Sequence, residues 1–100
     1  MTTSTLAGYQ RRHLRGLANR LKPLVQVGEP GLSAAVIAAT EQALEDHELV
    51  KVRLHQPENK REAARELAER SHAALCGLIG HTVILYRRHP EHPRIDVPER

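Results

Sequence analysis

The feature that most constrains the fold is a short apolar run that ends in a glycine-containing turn and is followed by an amphipathic segment. Leu24 to Val27 has the length and composition of a strand, and Gly28-Glu29-Pro30-Gly31 interrupts it. The pattern after the turn predicts a helix that begins with Ser33 as its N-cap. A strand joined so closely to a helix is typical of α/β domains.

The Gly28-x-x-Gly31 loop is a candidate site for a phosphate chain. Neither glycine has a Cβ, so a ligand backbone can approach, and the first turn of the next helix offers N–H groups with a partial positive charge. KH domains clamp nucleotides with a G-x-x-G loop. Glu29 and Pro30 weaken the comparison, because one adds a negative charge and the other lacks an N–H. A tight turn that requires glycine but binds nothing is the alternative interpretation.

The periodicity of the chain predicts three helices and four strands in the order αβαβαββ. The helices are expected at 6–21, 33–47 and 60–72, and the strands at 24–27, 49–55, 75–79 and 82–87. This order predicts an α/β two-layer domain in which a four-stranded mixed sheet packs with helices. Residues 1–100 are expected to form a single domain whose tail, 88–100, is extended because it contains several prolines.

Local signals add detail to these elements. Asn59 is the predicted N-cap of the third helix, and Gly77-Leu-Ile-Gly80 is expected to mark close packing and a hairpin turn, not a second site. Alternation in the second strand places Lys51, Arg53 and His55 in a basic outer row. The positions expected to be buried in the first two helices are Leu14, Leu17, Ala18, Leu21, Val36, Ala39, Ala43 and Leu44.

Charge and composition narrow the range of partners. The net charge is +3, yet residues 1–27 carry five basic side chains and no acid, whereas residues 28–50 carry five acids and no Lys or Arg. Such polarity can steer a polyanion to one side of the molecule, although a merely solvated surface explains it equally well. Tyr9 and Tyr86 are the only aromatic residues, so we do not expect RNA to be bound by stacking bases on aromatic platforms.

Support for metal binding, catalysis or membrane insertion is weak. His72-x3-Cys76 and His89-x-x-His92 do not supply the three or four convergent ligands that zinc needs. Ser33 is explained as a helix cap and Cys76 has no activating partner, so we expect no catalysis, no cofactor and no small-molecule substrate. A single cysteine in an apolar run, without a membrane span or signal peptide, favours the cytoplasm.

Six ordered motifs together resemble the YhbY family of small bacterial CRM-domain proteins (CRM, chloroplast RNA splicing and ribosome maturation). They are Leu14-Arg-Gly-Leu-Ala18, Leu21-Lys-Pro-Leu-Val25, Gly28-x-x-Gly31-Leu32, Glu41-Gln-Ala-Leu-Glu45, His47-Glu-Leu-Val-Lys-Val52 and Ile79-Gly-His-Thr-Val-Ile-Leu-Tyr-Arg87. The resemblance places a CRM domain at residues 4–98. It implies an RNA-binding domain without catalysis, related in fold to the C-terminal domain of a translation initiation factor.

The resemblance also implies a ligand and a set of contact residues. Bacterial members associate with precursors of the large ribosomal subunit, so we expect a monomeric assembly factor that binds structured ribosomal RNA, with ribosomal proteins as further contacts. The implied RNA-binding residues are Gly28, Glu29, Pro30, Gly31 and Leu32 in the loop, with Arg11, Arg12, Arg15, Lys22, Lys51, Arg53 and Arg87 around it. Two alternatives stay open: a protein-interaction module that docks on a ribosomal protein, and an RNA-binding role in splicing or translational control.

Overall fold

A computed structural model describes residues 6–29 and 31–99, and its elements follow the predicted order. The helices are α1 (Gly8–Ala18), α2 (Ala34–His47) and α3 (Lys60–Arg70), and the strands are β1 (Val25–Val27), β2 (Leu49–Leu54), β3 (Ala74–Ile79) and β4 (Thr82–Tyr86). The α/β class and the order αβαβαββ are confirmed. The N-caps at Ser33 and Asn59 are also confirmed, since each side chain accepts a backbone N–H from the first turn of its helix.

The four strands form one mixed sheet in the order β1-β2-β4-β3, which leaves β1 and β3 as edge strands. β1 runs parallel to β2, and β4 is antiparallel to both of its neighbours. The glycine loop after β1, the segment after β2 and the Gly80-His81 hairpin turn therefore lie at the same end of the sheet, which we call the loop end. The opposite end, where β2 begins and β4 finishes, is the tail end.

Helices cover both faces of the sheet, so the prediction of two layers requires a correction to three. Helices α2 and α3 pack on the face that carries Val50, Val52 and Leu54. Helix α1 packs on the other face, where Leu49 and Ile84 lie. The reason is that β4 is apolar on both faces, as is usual for a strand covered from both sides.

Two predicted buried faces differ from the structure. In α1, Leu14 and Ala18 are fully buried, but Leu17 and Leu21 are 43% and 39% exposed because the helix ends at Ala18 and only part of its apolar stripe meets the sheet. In α2, Ile37 and Thr40 are buried, whereas Val36 is half-buried and Ala39 is exposed. The Thr40 hydroxyl donates to the Val36 carbonyl at 2.8 Å, which satisfies its hydrogen bond inside the core.

The described part of the tail, 88–99, contains no strand but is fixed to the domain by a buried carboxylate. Glu48 is 1% exposed, has a φ of 67° and accepts backbone N–H groups from His89, Arg94 and Ile95 at 2.6, 2.8 and 3.0 Å. Ile95 and Val97 then pack against the α1 side of the core. The segment expected to be a merely extended tail is thus held along α1.

Candidate nucleic-acid interface

The glycine loop is a tight turn that leads directly into α2. The Gly31 N–H donates to the Gly28 carbonyl at 3.0 Å, and Gly31 has a φ of 82°, a conformation that favours glycine. Glu29 is exposed within the turn, and Pro30 lies outside the described residues. Turn geometry alone therefore accounts for Gly31, and a ligand contact has to be argued from the surroundings of the loop.

Helix α3 holds the loop in place through Arg70. Its Nη1 donates to the Leu32 carbonyl at 2.9 Å and to Glu66 Oε2 at 3.3 Å. From the sequence, Arg70 is only the partner of Glu66 in a helical surface pair, because nothing local indicates that α3 passes beside the start of α2. We therefore regard Arg70 as a positioning residue for the loop.

An acidic cleft borders the glycine loop on the α2–α3 side of the sheet. It has a volume of about 520 Å³ and lies between the loop, the end of β2 and the first turns of α3. Exposed carboxylates line it: Glu29, Glu58, Glu62 and Glu66. Arg65 and Arg70 pair with Glu62 and Glu66 at 3.7 and 3.3 Å, but such exposed pairs are weak. A phosphate at the amides of α2 or α3 would therefore lie close to carboxylates, so this cleft is a poor path for RNA.

The opposite face of the sheet is basic and open at the loop end. Gln26, Arg53, Thr82 and Ile79 lie side by side across the four strands, and we call this row the sheet strip. Gln26 and Arg53 are exposed, and Ile79 is 57% exposed, because α1 covers only the remainder of this face. Arg53 pairs with Gln26, two residues before Gly28, so its position is adjacent to the glycine loop.

Helix α1 borders the sheet strip with arginines, two of which also have structural contacts. The Arg15 side chain lies over β3, where a Cβ on Gly77 would be 2.6 Å from Arg15 Cδ, and its Nη1 donates to the Cys76 carbonyl at 2.7 Å. Arg11 donates to the Leu6 carbonyl. Gly77 is therefore explained by close packing, as predicted, whereas Arg12 is exposed and available to a ligand.

The remaining implied contact residues divide between this face and the tail end. Lys51 lies one row behind the sheet strip, and its Nζ donates to the Leu21 carbonyl at 3.1 Å. Lys22 lines a mainly apolar groove at the tail end. Arg87 is also at the tail end, where it donates to the Ser71 carbonyl at 2.9 Å and lies 3.5 Å from Glu41. The structure thus places Arg15, Lys51 and Arg53 on the α1 face of the sheet, with Arg53 next to the glycine loop and Arg15 over β3, whereas Lys22 and Arg87 lie at the tail end.

The described residues offer little for other kinds of site. Burial raises the pKa of the Cys76 thiol to about 11, so it stays protonated at neutral pH. Among residues 6–29 and 31–99 there is no group of three or more His, Cys, Asp or Glu that could hold a metal ion. None of the helices in this part of the chain has the length and apolarity needed to cross a bilayer.

Comparison with known proteins gives a consistent result. The CRS1 / YhbY (CRM) domain model matches residues 6–87. "Probable RNA-binding protein YqeI" of Bacillus subtilis is 38% identical over 95 residues, which cover 93% of this chain and 99% of the relative. A Haemophilus influenzae protein named "RNA-binding protein" is 36% identical over 99 residues, covering 97% and 99% of the two chains.

A solved structure extends the likeness to three dimensions. The solution structure of hypothetical protein SAV1595 from Staphylococcus aureus, a suggested RNA-binding protein, superposes with a TM-score of 0.82 at 33% identity. The match covers 94% of this chain and 100% of the other. A family match over most of the chain, full-length relatives and a shared fold agree, and the chain therefore belongs to the CRS1/YhbY (CRM) domain family.

Proposed function

We propose that this protein is a cytoplasmic, non-catalytic RNA-binding protein that binds structured ribosomal RNA in precursors of the large ribosomal subunit. The observation that carries the proposal is the open basic surface on the α1 face of the sheet, where Arg53 of the sheet strip lies next to the glycine loop and Arg12 is exposed on α1. Relatives that match nearly the whole chain are named as RNA-binding proteins, which supports the same conclusion.

The contacts that this surface offers are mainly to the sugar-phosphate backbone. Arginine guanidinium groups bind phosphate oxygens in a bidentate manner. The sheet strip has no aromatic residue on which a base could stack. Phosphate contacts position a protein on RNA without reading its sequence, so the preference for one RNA should come from its folded shape.

A direct binding measurement tests the ligand. Purified protein is titrated with protein-free transcripts of large-subunit ribosomal RNA and with an unrelated structured RNA of equal length. We expect tighter binding to the ribosomal transcripts and crosslinks to the same RNA in cells. Equal affinity for both transcripts, with crosslinks to other RNA classes, would contradict the ribosomal role while leaving RNA binding intact.

One observation favours the alternative of a module that docks on a ribosomal protein. Leu17, Leu21 and Leu24 are all exposed at the tail end and line an apolar groove of about 410 Å³. Exposed apolar patches of this kind often mark protein contacts. If protein docking were the main function, substituting Leu24 with serine would abolish association with precursor particles, and substituting Arg53 with glutamine would not.

A further inference from the structure

Helix α3 carries acidic side chains on one flank and basic side chains on the other. Glu62 and Glu66, one helical turn apart, belong to the acidic cleft. Arg61 and Arg65, also one turn apart, lie on the flank that faces β3. The helix therefore separates a surface that repels a polyanion from a surface that attracts one.

The basic flank of α3 lines a second hollow at the edge of the sheet. It has a volume of about 360 Å³, and its charged lining residues are Lys60, Arg61 and Arg65, above a floor of Ala64, Leu75 and Leu78. Arg61 and Arg65 are exposed, and the pair between Arg65 and Glu62 at 3.7 Å is too exposed to neutralise the arginine. Cations above an apolar floor suit a sugar-phosphate chain, because the ribose can lie on the floor while phosphates meet the cations.

The β3 edge strand separates this hollow from the basic face described above. Leu75 and Leu78 face α3, whereas Gly77 lies under the Arg15 side chain on the α1 face. Only β3 lies between Arg15 on one face and the basic residues of the hollow on the other. As an edge strand, β3 has no further strand beside it. A strand of RNA that crosses the sheet strip toward Ile79 would reach the hollow by passing over this edge.

We infer that the RNA footprint wraps around the β3 edge onto α3, where Lys60, Arg61 and Arg65 form a second contact with the sugar-phosphate backbone. The inference rests on the proposed function and adds a binding surface to it. The acidic cleft on the far flank of α3 bounds this footprint, because a strand that continued past the helix would meet the carboxylates of Glu62 and Glu66.

The first test compares two double variants that lose the same charge. R61Q/R65Q removes two cations of the hollow, and R20Q/R88Q removes two exposed cations elsewhere, so the latter serves as the matched control. Counterion release of roughly 0.7 to 0.9 per phosphate contact predicts that R61Q/R65Q lowers the salt slope of RNA binding by about 1.6 and the affinity about 20-fold at 0.15 M salt. Circular dichroism and the urea midpoint establish that both variants are folded.

The control variant R20Q/R88Q shows whether an effect of R61Q/R65Q is specific to the hollow. R20Q/R88Q should leave the slope and the affinity unchanged. If R61Q/R65Q and R20Q/R88Q changed the salt slope and the affinity by the same amount, the inferred second contact would be wrong. Wild-type binding that is weakened by R12Q/R53Q but not by R61Q/R65Q would likewise overturn it while leaving the proposed function in place. A wild-type protein that binds no RNA would reject both.

Lysine footprinting tests the same surface without any substitution. The chain has three lysines, Lys22, Lys51 and Lys60, which makes the measurement simple. RNA should protect the Lys60 amine from an acylating reagent, whereas Lys22, at the tail end, should react at the same rate with and without RNA. Equal reactivity of Lys60 in the free and bound protein would overturn the inference.

Discussion

Replacing Glu48 with glutamine should destabilise the domain far more than a change at a helix terminus usually does. Glu48 follows α2 and is buried, and its carboxylate accepts three backbone N–H groups of the tail. Glutamine removes the charge and replaces one acceptor oxygen with an NH₂ group. If its remaining oxygen keeps the N–H groups of Arg94 and Ile95, its NH₂ group faces the N–H of His89, and two donors then oppose each other.

The expected magnitude follows from these contacts. A hydrogen bond to a charged group contributes about 1.5 to 3 kcal/mol, against about 0.5 to 1.5 kcal/mol for a neutral one, and a buried donor left without an acceptor costs about 1 to 3 kcal/mol. One lost bond and two weakened bonds give a decrease of about 3 kcal/mol in the free energy of unfolding, with a range of roughly 2 to 5 kcal/mol. This is a large fraction of the total of about 5 to 15 kcal/mol for a small domain.

The pH dependence of the free energy of unfolding tests the role of the Glu48 carboxyl a second time. Burial alone would raise the pKa of the Glu48 carboxyl, but hydrogen bonds from His89, Arg94 and Ile95, with the nearby Arg94 charge, lower it below its ordinary value. A carboxyl whose pKa is lowered on folding stabilises the native state above its unfolded pKa, and this stabilisation is lost as the pH falls through the folded pKa. The wild type should therefore lose stability below about pH 4.5, the ordinary pKa, and E48Q should lose less over that interval.

Urea unfolding followed by circular dichroism measures both effects. The matched control is E45Q, which removes the same charge from an exposed position on α2 and should change the free energy of unfolding by less than about 0.5 kcal/mol. Hydrogen exchange should be faster at the His89 amide in E48Q, and to a smaller extent at the Arg94 and Ile95 amides. A loss no greater than that of E45Q, with unchanged exchange in the tail, would refute the reasoning about Glu48.

Three further predictions, on glycine packing, a helix cap and a buried thiol, test individual contacts. G77A should lower the free energy of unfolding in urea titrations by about 1 to 3 kcal/mol, because the added Cβ overlaps the Arg15 side chain. G16A should raise it by about 0.5 to 1 kcal/mol, because a Cβ at this helical position meets no other atom. A stabilised G77A and a destabilised G16A would contradict the packing. N59A should cost about 1 kcal/mol through loss of the α3 cap, and an unchanged urea midpoint would contradict this role. Cys76 should react with a thiol reagent at pH 8 about 200-fold more slowly than an exposed cysteine, and equal rates would contradict its burial.

Much of the fold was predictable because its signals are local. The caps at Ser33 and Asn59 and the alternation of β2 depend on a few neighbouring residues, and they were predicted correctly. The packing of α1 on the opposite face was not predicted, since the sequence order of elements does not say which face a first helix covers. The exposure of Leu17 was not predicted either, because periodicity does not show that only part of the apolar stripe of α1 meets the sheet.

The least predictable features join residues that are far apart in the sequence. In the sequence, Glu48 resembles the other acids of α2, which are on the surface. It is a buried hydrogen-bond acceptor only because the tail folds back and donates its backbone N–H groups to it. Arg70 reads as a surface pair with Glu66, and only the proximity of α3 to the glycine loop reveals its bond to Leu32. Arg87 shows the converse, because a basic residue that the family resemblance implies as an RNA contact is engaged by Ser71 and Glu41.

The salt dependence of RNA affinity in R12Q/R53Q tests the central claim most directly. Arg53 lies next to the glycine loop and Arg12 is exposed on α1, and both are without structural contacts like those of Arg15. The slope of log affinity against log salt should fall by about 1.6 relative to the wild type, and R20Q/R88Q should retain the wild-type slope. Equal slopes in R12Q/R53Q and the wild type, with both proteins folded, would contradict the assignment of the α1 face at the loop end as the RNA-binding surface.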